Sequence, residues 1–202
     1  MMCSQHLKKY GSTAVSLSDN VVEGPFLMGK KVTLRPLREE DAAGSYPSWL
    51  NDAVVCDGNS HHVYPYTGHQ ALEFIRSLPD RRDLLVLAIV DNASGRHVGN
   101  ISLQEIHFVN RSAELAILVG AQDCWGKGLG TEACALLMRH GFTALNLRRI
   151  ELGTPQTNIG MQKIALALGM KHEGTKRSAF FKNGKYLDVF LYGILRDDAH
   201  IL

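Results

Sequence analysis

The sequence predicts one α/β domain of the α+β kind, in which a mixed, mostly antiparallel sheet of seven strands is flanked by helices. Three observations predict it. Strand-like apolar runs fill the middle and end of the chain, whereas helical spacing occurs only in single, isolated segments. Turn signals join neighbouring strand segments as three hairpins, the clearest being Asn183-Gly184. One strand–helix–strand run, Glu114 to Thr154, demands a crossover and hence a parallel pair inside an otherwise antiparallel sheet.

The elements follow in order. Residues 1–22 are Ser-rich and without period, and read as a flexible leader ahead of a single domain over 23–202. Lys31 to Leu37 alternates as a strand does. Arg38 to Asp41 turns into a helix with Asp41 as a cap, and a short helical segment ends at Asn51-Asp52. Cys56 to Thr67 is a polar, aromatic, His-bearing loop, and Thr67 to Ile75 is a capped helix stopped before Pro79. Leu84–Val90, Val98–Phe108 and Glu114–Gly120 are strands joined by Asp91 to Gly95 and by Asn110 to Ser112. Thr131–Leu145 is a helix, Arg149–Thr154 a strand, and Ile159–Leu168 a helix closed by Gly169. Met170–Phe181 and Tyr186–Leu195 form the last hairpin.

Bulk properties exclude several function classes. A chain of 202 residues, 45% apolar and 21% charged, can bury a full core. A formal net charge of +2 is too small to mark a nucleic-acid surface. No run reaches the roughly 20 apolar residues of a membrane span, and Met1 to Lys9 has no signal-peptide character, so a cytoplasmic location is expected. Cys3, Cys56, Cys124 and Cys134 form no zinc or redox spacing, and read as free thiols with Cys134 in the core.

The most informative stretch is Cys124 to Ala133. An apolar strand, glycines at 126, 128 and 130, and a helix start make an anion cradle: glycine lets successive N–H groups converge, and the helix terminus adds unpaired donors and partial positive charge. The spacing is neither that of a P-loop nor the dinucleotide G-x-G-x-x-G. It fits the CoA pyrophosphate loop, with Trp125 where Gln or Arg is usual.

Five pieces, taken together and in order, resemble the GNAT acetyltransferase superfamily: Thr33-Leu34-Arg35-Pro36, Val98 to Leu103, Asn110 to Leu115, Trp125 to Ala133, and Asn158 through Gly169 with Glu173-Gly174. The match runs from about Lys31 to about Arg196 and has the flavour of the subgroup acting on ribosomal-protein N-termini, polyamines and amino sugars, which Trp49-Leu50-Asn51-Asp52 also fits. The resemblance implies acetyl-CoA as co-substrate, with no metal. Its pantetheine arm would lie between two splayed strands on the backbone of Leu118 and Val119, and its pyrophosphate on Trp125, Gly126, Lys127, Gly128, Leu129, Gly130 and Thr131. Asn158 would reach the pantetheine amide, cap the following helix, or do both.

The implied reaction is direct attack by a primary amine in a ternary complex. Glu114 is the base candidate and a backbone N–H near Val119 the oxyanion donor. The family's acid positions hold Ala165 and Met161, which cannot donate a proton, so Tyr186 or Tyr192 is a substitute. That gap motivates the alternative of a catalytically silent acyl-CoA-binding sensor. Trp49, Asp52, His62 and Tyr64 are expected around the acceptor, and His61-His62 lacks metal-ligand spacing. Phe180 and Phe181 complete that wall or make a homodimer contact. The carboxylates are spread evenly along the chain, which points to an amino sugar or protein N-terminus as acceptor rather than a polyamine, with no nucleic-acid or membrane partner.

Overall fold

A computed structural model describes residues 24–199. The leader expected over 1–22, and Cys3 within it, lie outside the described residues. Eight strands form one sheet: β1 (Leu27–Met28), β2 (Val32–Pro36), β3 (Leu85–Asp91), β4 (His97–His107), β5 (Ser112–Val119), β6 (Arg149–Pro155), β7 (Lys171–Lys182) and β8 (Lys185–Leu195), in the order β1-β2-β3-β4-β5-β6-β8-β7. The strand absent from the seven expected is β1, whose two residues pair with Leu34 and Thr33 and are too short to show a period. Every pairing is antiparallel except β5 with β6.

Four α-helices cover the sheet: α1 (Tyr46–Leu50), α2 (Gly68–Ser77), α3 (Leu129–Thr143) and α4 (Ile159–Ala167). Local chemistry sets their ends. Thr67 and Gln70 form a reciprocal capping box on α2, and Asn158 Oδ1 accepts from Met161 N at 3.0 Å to cap α4. Gly169, at φ +78°, closes α4 in the left-handed region. Asn183 and Gly184 both take positive φ in the tight turn of the β7–β8 hairpin. Asp41, expected as a helix cap, caps the 3-10 turn Glu39–Ala42 from its third position, accepting the amide of Arg38 at 2.8 Å, and also takes a bidentate pair from Arg35. Burial opposes its ionisation, but those bonds and a contact with His97 outweigh burial and hold its carboxyl far below the usual carboxylate range.

The two faces of the sheet carry separate cores. On one, Leu103, Ala113, Leu115, Ile150 and Leu152 pack against Ala133, Leu137 and Met138 of α3. On the other, Tyr46, Trp49, Leu50, Ala71 and Ile75 pack over Ala88. Glu132 of α3 draws the first half of the chain onto that helix, accepting the amides of Lys30, Lys31 and Val32 at 2.9, 2.7 and 2.9 Å. Strands β5 and β6 pair only over Ser112–Glu114 and Arg149–Glu151. Beyond those three rungs they separate, and the opening joins one face of the sheet to the other.

Candidate active site

A cleft of about 880 Å³ fills this opening, lined on one side by Glu114 to Leu118 and on the other by Glu151 to Pro155. The β4–β5 register decides which backbone groups face it. Gly120 N donates to Val98 O at 2.9 Å, and antiparallel bonding recurs at every second residue, so Leu118 and Ala116 spend their amides on β4. Leu115, Ile117 and Val119 therefore turn their N–H and C=O toward the gap. The expected pairing edge thus falls on Ile117 and Val119; the backbone of Leu118 belongs to the ladder, and its side chain packs with the α1/α2 core and lines the cleft. Trp125 Nε1 donates to Val119 O at 2.7 Å, tying the glycine loop to the end of β5. The aromatic ring at the position of the usual Gln or Arg therefore braces the strand.

The loop has the conformation that its glycines permit. Gly126 and Gly128 sit at φ +74° and +81°, and Gly128 is the N-cap of α3. The helix's first N–H groups lack intrahelical acceptors. A Cβ added at Gly130 would touch the side chains of Ile164, Val119 and Ile117 at ordinary contact distance, so the helix starts close against the end of β5. Lys127 borders a second recess of about 420 Å³ together with Lys30, Lys31 and Asn92. Lys31 Nζ also donates to Lys127 O at 2.9 Å, which brings a distant lysine to the loop. A helix N-terminus and three lysines, set against the one carboxylate of Asp91, suit a phosphorylated ligand.

On the α1/α2 face the register pairs Gln104 with Glu114 and Glu114 with Glu151. Glu105 and Glu173 join them around the cleft, with Arg149 bonded to both Glu151 and Glu173 and Lys176 nearby. The folded chain thus gathers carboxylates that are scattered in sequence. Glu114 is half-buried, and its pKa is raised first by burial and next by the charge of Glu105, against a bond from the Gly153 amide.

The other expected site residues take other places. Tyr186 is 70% exposed near the hairpin tip, its ring 5.0 Å from that of Phe181 and tilted to it, and is not among the cleft residues. Tyr192 is buried beside the cleft, edge-on to His172. Trp49 belongs to the core: it lies so close to Gly120 that a Cβ there would stand 2.0 Å from Trp49 Cδ2. Asp52 is a brace, accepting from Val54 N, Val55 N and Gln122 Nε2. His62 and Tyr64 point to solvent, Tyr64 being 83% exposed. Their neighbours Gly58 to His61 line the cleft instead. Asn158 has both ends of its amide engaged, since Nδ2 donates to Gly58 O at 3.2 Å, and so acts as cap and as loop tie. Lys182 Nζ holds the same loop through the carbonyls of Asn59 and His61 at 3.2 and 2.8 Å. Among the described residues no cluster of three or more His, Cys, Asp or Glu is arranged for a metal, and no helix is long and apolar enough to cross a membrane. Cys134 is fully buried, with its thiol pushed up to about 12 by desolvation.

Comparisons with known proteins agree with this geometry. A family model described as an acetyltransferase (GNAT) domain matches residues 31–171. The spermidine N(1)-acetyltransferase of Escherichia coli strain K12 is 33% identical over 160 residues, covering 77% of this chain and 81% of that protein. An uncharacterized N-acetyltransferase, p20, of Bacillus licheniformis is 28% identical over 174 residues, covering 84% of this chain and 96% of that protein. The crystal structure of spermidine N-acetyltransferase from Vibrio cholerae in complex with CoA and spermine shares the fold, with a TM-score of 0.77 at 24% identity over 85% of this chain and 99% of that one.

Proposed function

The chain belongs to the GNAT acetyltransferase family, and from that premise we propose that it moves the acetyl group of acetyl-CoA directly onto a primary amine of a small polycationic acceptor, with Glu114 as base. Acetyl-CoA-dependent N-acetyl transfer is the activity of the family. The observation that carries the finer reading is the convergence of Glu105, Glu114, Glu151 and Glu173 where β5 and β6 part. Arg149 and Lys176 offset part of that charge, and the remainder favours a cation over a neutral sugar.

Each role follows from position. The Gly126–Thr131 amides and α3 hold the diphosphate. Ile117 and Val119 offer an open strand edge to the pantetheine arm, and a gap-facing N–H of that edge binds the carbonyl oxygen as it gains charge. Trp125 fixes that strand end by its bond to Val119 O. On the opposite face Glu114 takes the proton that an ammonium must lose before it can attack; its raised pKa brings it nearer the working pH of a general base. The names of the relatives that act on spermidine support the same acceptor class.

The test is thiol release with acetyl-CoA and three amines: spermidine, a peptide with a free N-terminus, and an amino sugar. Spermidine should give the highest kcat/KM, by about tenfold or more (a 1.4 kcal/mol preference), with intersecting initial-velocity lines. Preference for the sugar or the peptide overturns the acceptor class. Tight CoA binding with no thiol release from any amine establishes the sensor reading that Met161 and Ala165 motivate.

A further inference from the structure

We infer that the Thr154 hydroxyl is the hydrogen-bond donor to the leaving thiolate, in place of the proton donors that Met161 and Ala165 cannot supply. This rests on the acetyl-CoA reading of the cleft given above.

Thr154 lies on β6 beyond the last rung shared with β5, and it lines the cleft. It is 2% exposed, and its Oγ1 is buried with no hydrogen-bond partner among the described residues. Along β6 the buried positions Ile150, Leu152 and Thr154 alternate with the exposed Glu151 and Gly153, so Thr154 faces the α3/α4 side. Ala165 is fully buried in the core on that side, with Met161 packed against it. Glu114 lies on the other face of the sheet. A hydroxyl on the coenzyme side and a carboxylate on the acceptor side therefore bracket the gap through which the thioester must pass.

Burying a hydroxyl without a partner costs stability that an isosteric valine would not. A strand position between core residues has no packing reason to carry that cost. A reason exists if the partner arrives only during reaction. A thioester sulfur accepts hydrogen bonds weakly, whereas a thiolate accepts them strongly. The bond then strengthens as the transition state is approached, and only such interactions raise kcat. No proton leaves Thr154. The ammonium's first proton passes through Glu114 to solvent before attack; the amine nitrogen then forms the new C–N bond, the C–S bond breaks with its electron pair passing to sulfur, and the proton left on nitrogen passes to Glu114. The thiolate is protonated by solvent after release.

The experiment compares wild type, Thr154→Val and Thr154→Ser. CoA binding is measured by calorimetry and the thiolate fraction of bound CoA by ultraviolet absorbance across pH. Thr154→Val should lower kcat about tenfold with KM for acetyl-CoA little changed, a loss corresponding to about 1.4 kcal/mol. It should also raise the pH at which bound CoA ionises, while raising Tm by about 2–4 °C through removal of the unpaired hydroxyl. Thr154→Ser should retain most of the wild-type kcat and titration. A Thr154→Val variant with wild-type kcat and unchanged titration overturns the inference alone. Wild-type protein that binds no CoA overturns the reading of the cleft, and this inference with it.

Discussion

The coenzyme side and the acceptor side of the gap are built by different means. On the side we assign to the coenzyme, the groups on offer are mostly main-chain amides from one continuous run, Trp125 to Thr131, and from the β5 edge beside it. On the acceptor side, Glu105, Glu114, Glu151 and Glu173 come from four strands and Gly58 to His61 from a loop, held by Lys182 and Asn158. Groups borrowed from the backbone depend on conformation and tolerate side-chain change. Groups supplied by side chains depend on which residues the register brings together. The first kind of site constrains a short sequence strongly; the second constrains residues far apart in the chain.

That contrast can be broken by experiment. The largest expected effect is at Glu114. Glu114→Gln should cost about 10²–10⁴ in kcat/KM, the range for losing a general base, with CoA affinity unchanged by calorimetry. A coupled loss of CoA binding would show that the two sides are not separable. Next is Gly128→Val, which forces a β-branched residue to φ +81°. Left-handed backbone costs roughly 1–2 kcal/mol, so the Kd for CoA should rise about tenfold while KM for the amine stays within about twofold (a shift of under 0.5 kcal/mol). Smallest is Glu105→Gln. Removing that negative neighbour eases ionisation of Glu114, so its pKa falls and the acidic limb of the kcat/KM profile moves to lower pH. A shift to higher pH, or none, would mean that another group sets the limb.

The same contrast explains what was legible in the sequence. The glycine loop, the helix it opens, the β7–β8 hairpin and the α4 cap were readable because each is a local pattern with its own backbone demand. Strand β1 was not, since two residues show no period. Leu118 was read one residue away from the amides that face the gap, because strand parity is settled only by the Gly120 bond to Val98. Trp49, Asp52, His62 and Tyr64 were grouped by sequence proximity, yet the fold uses the first as a core wedge and the second as a brace, and turns the last two to solvent. Of the acidic wall only Glu114 was named as a site residue. Evenly spread carboxylates converge only after β4, β5, β6 and β7 line up, and nothing local to any of them announces it.

The indole bond between Trp125 and Val119 also gives the molecule its own optical reporter. The chain has two tryptophans. Trp49 is sealed in the core and 7% exposed, whereas Trp125 stands at the cradle and is 45% exposed. On the proposed reading, CoA binding should change the emission of Trp125 and leave that of Trp49 as a background, so binding could be followed without a label.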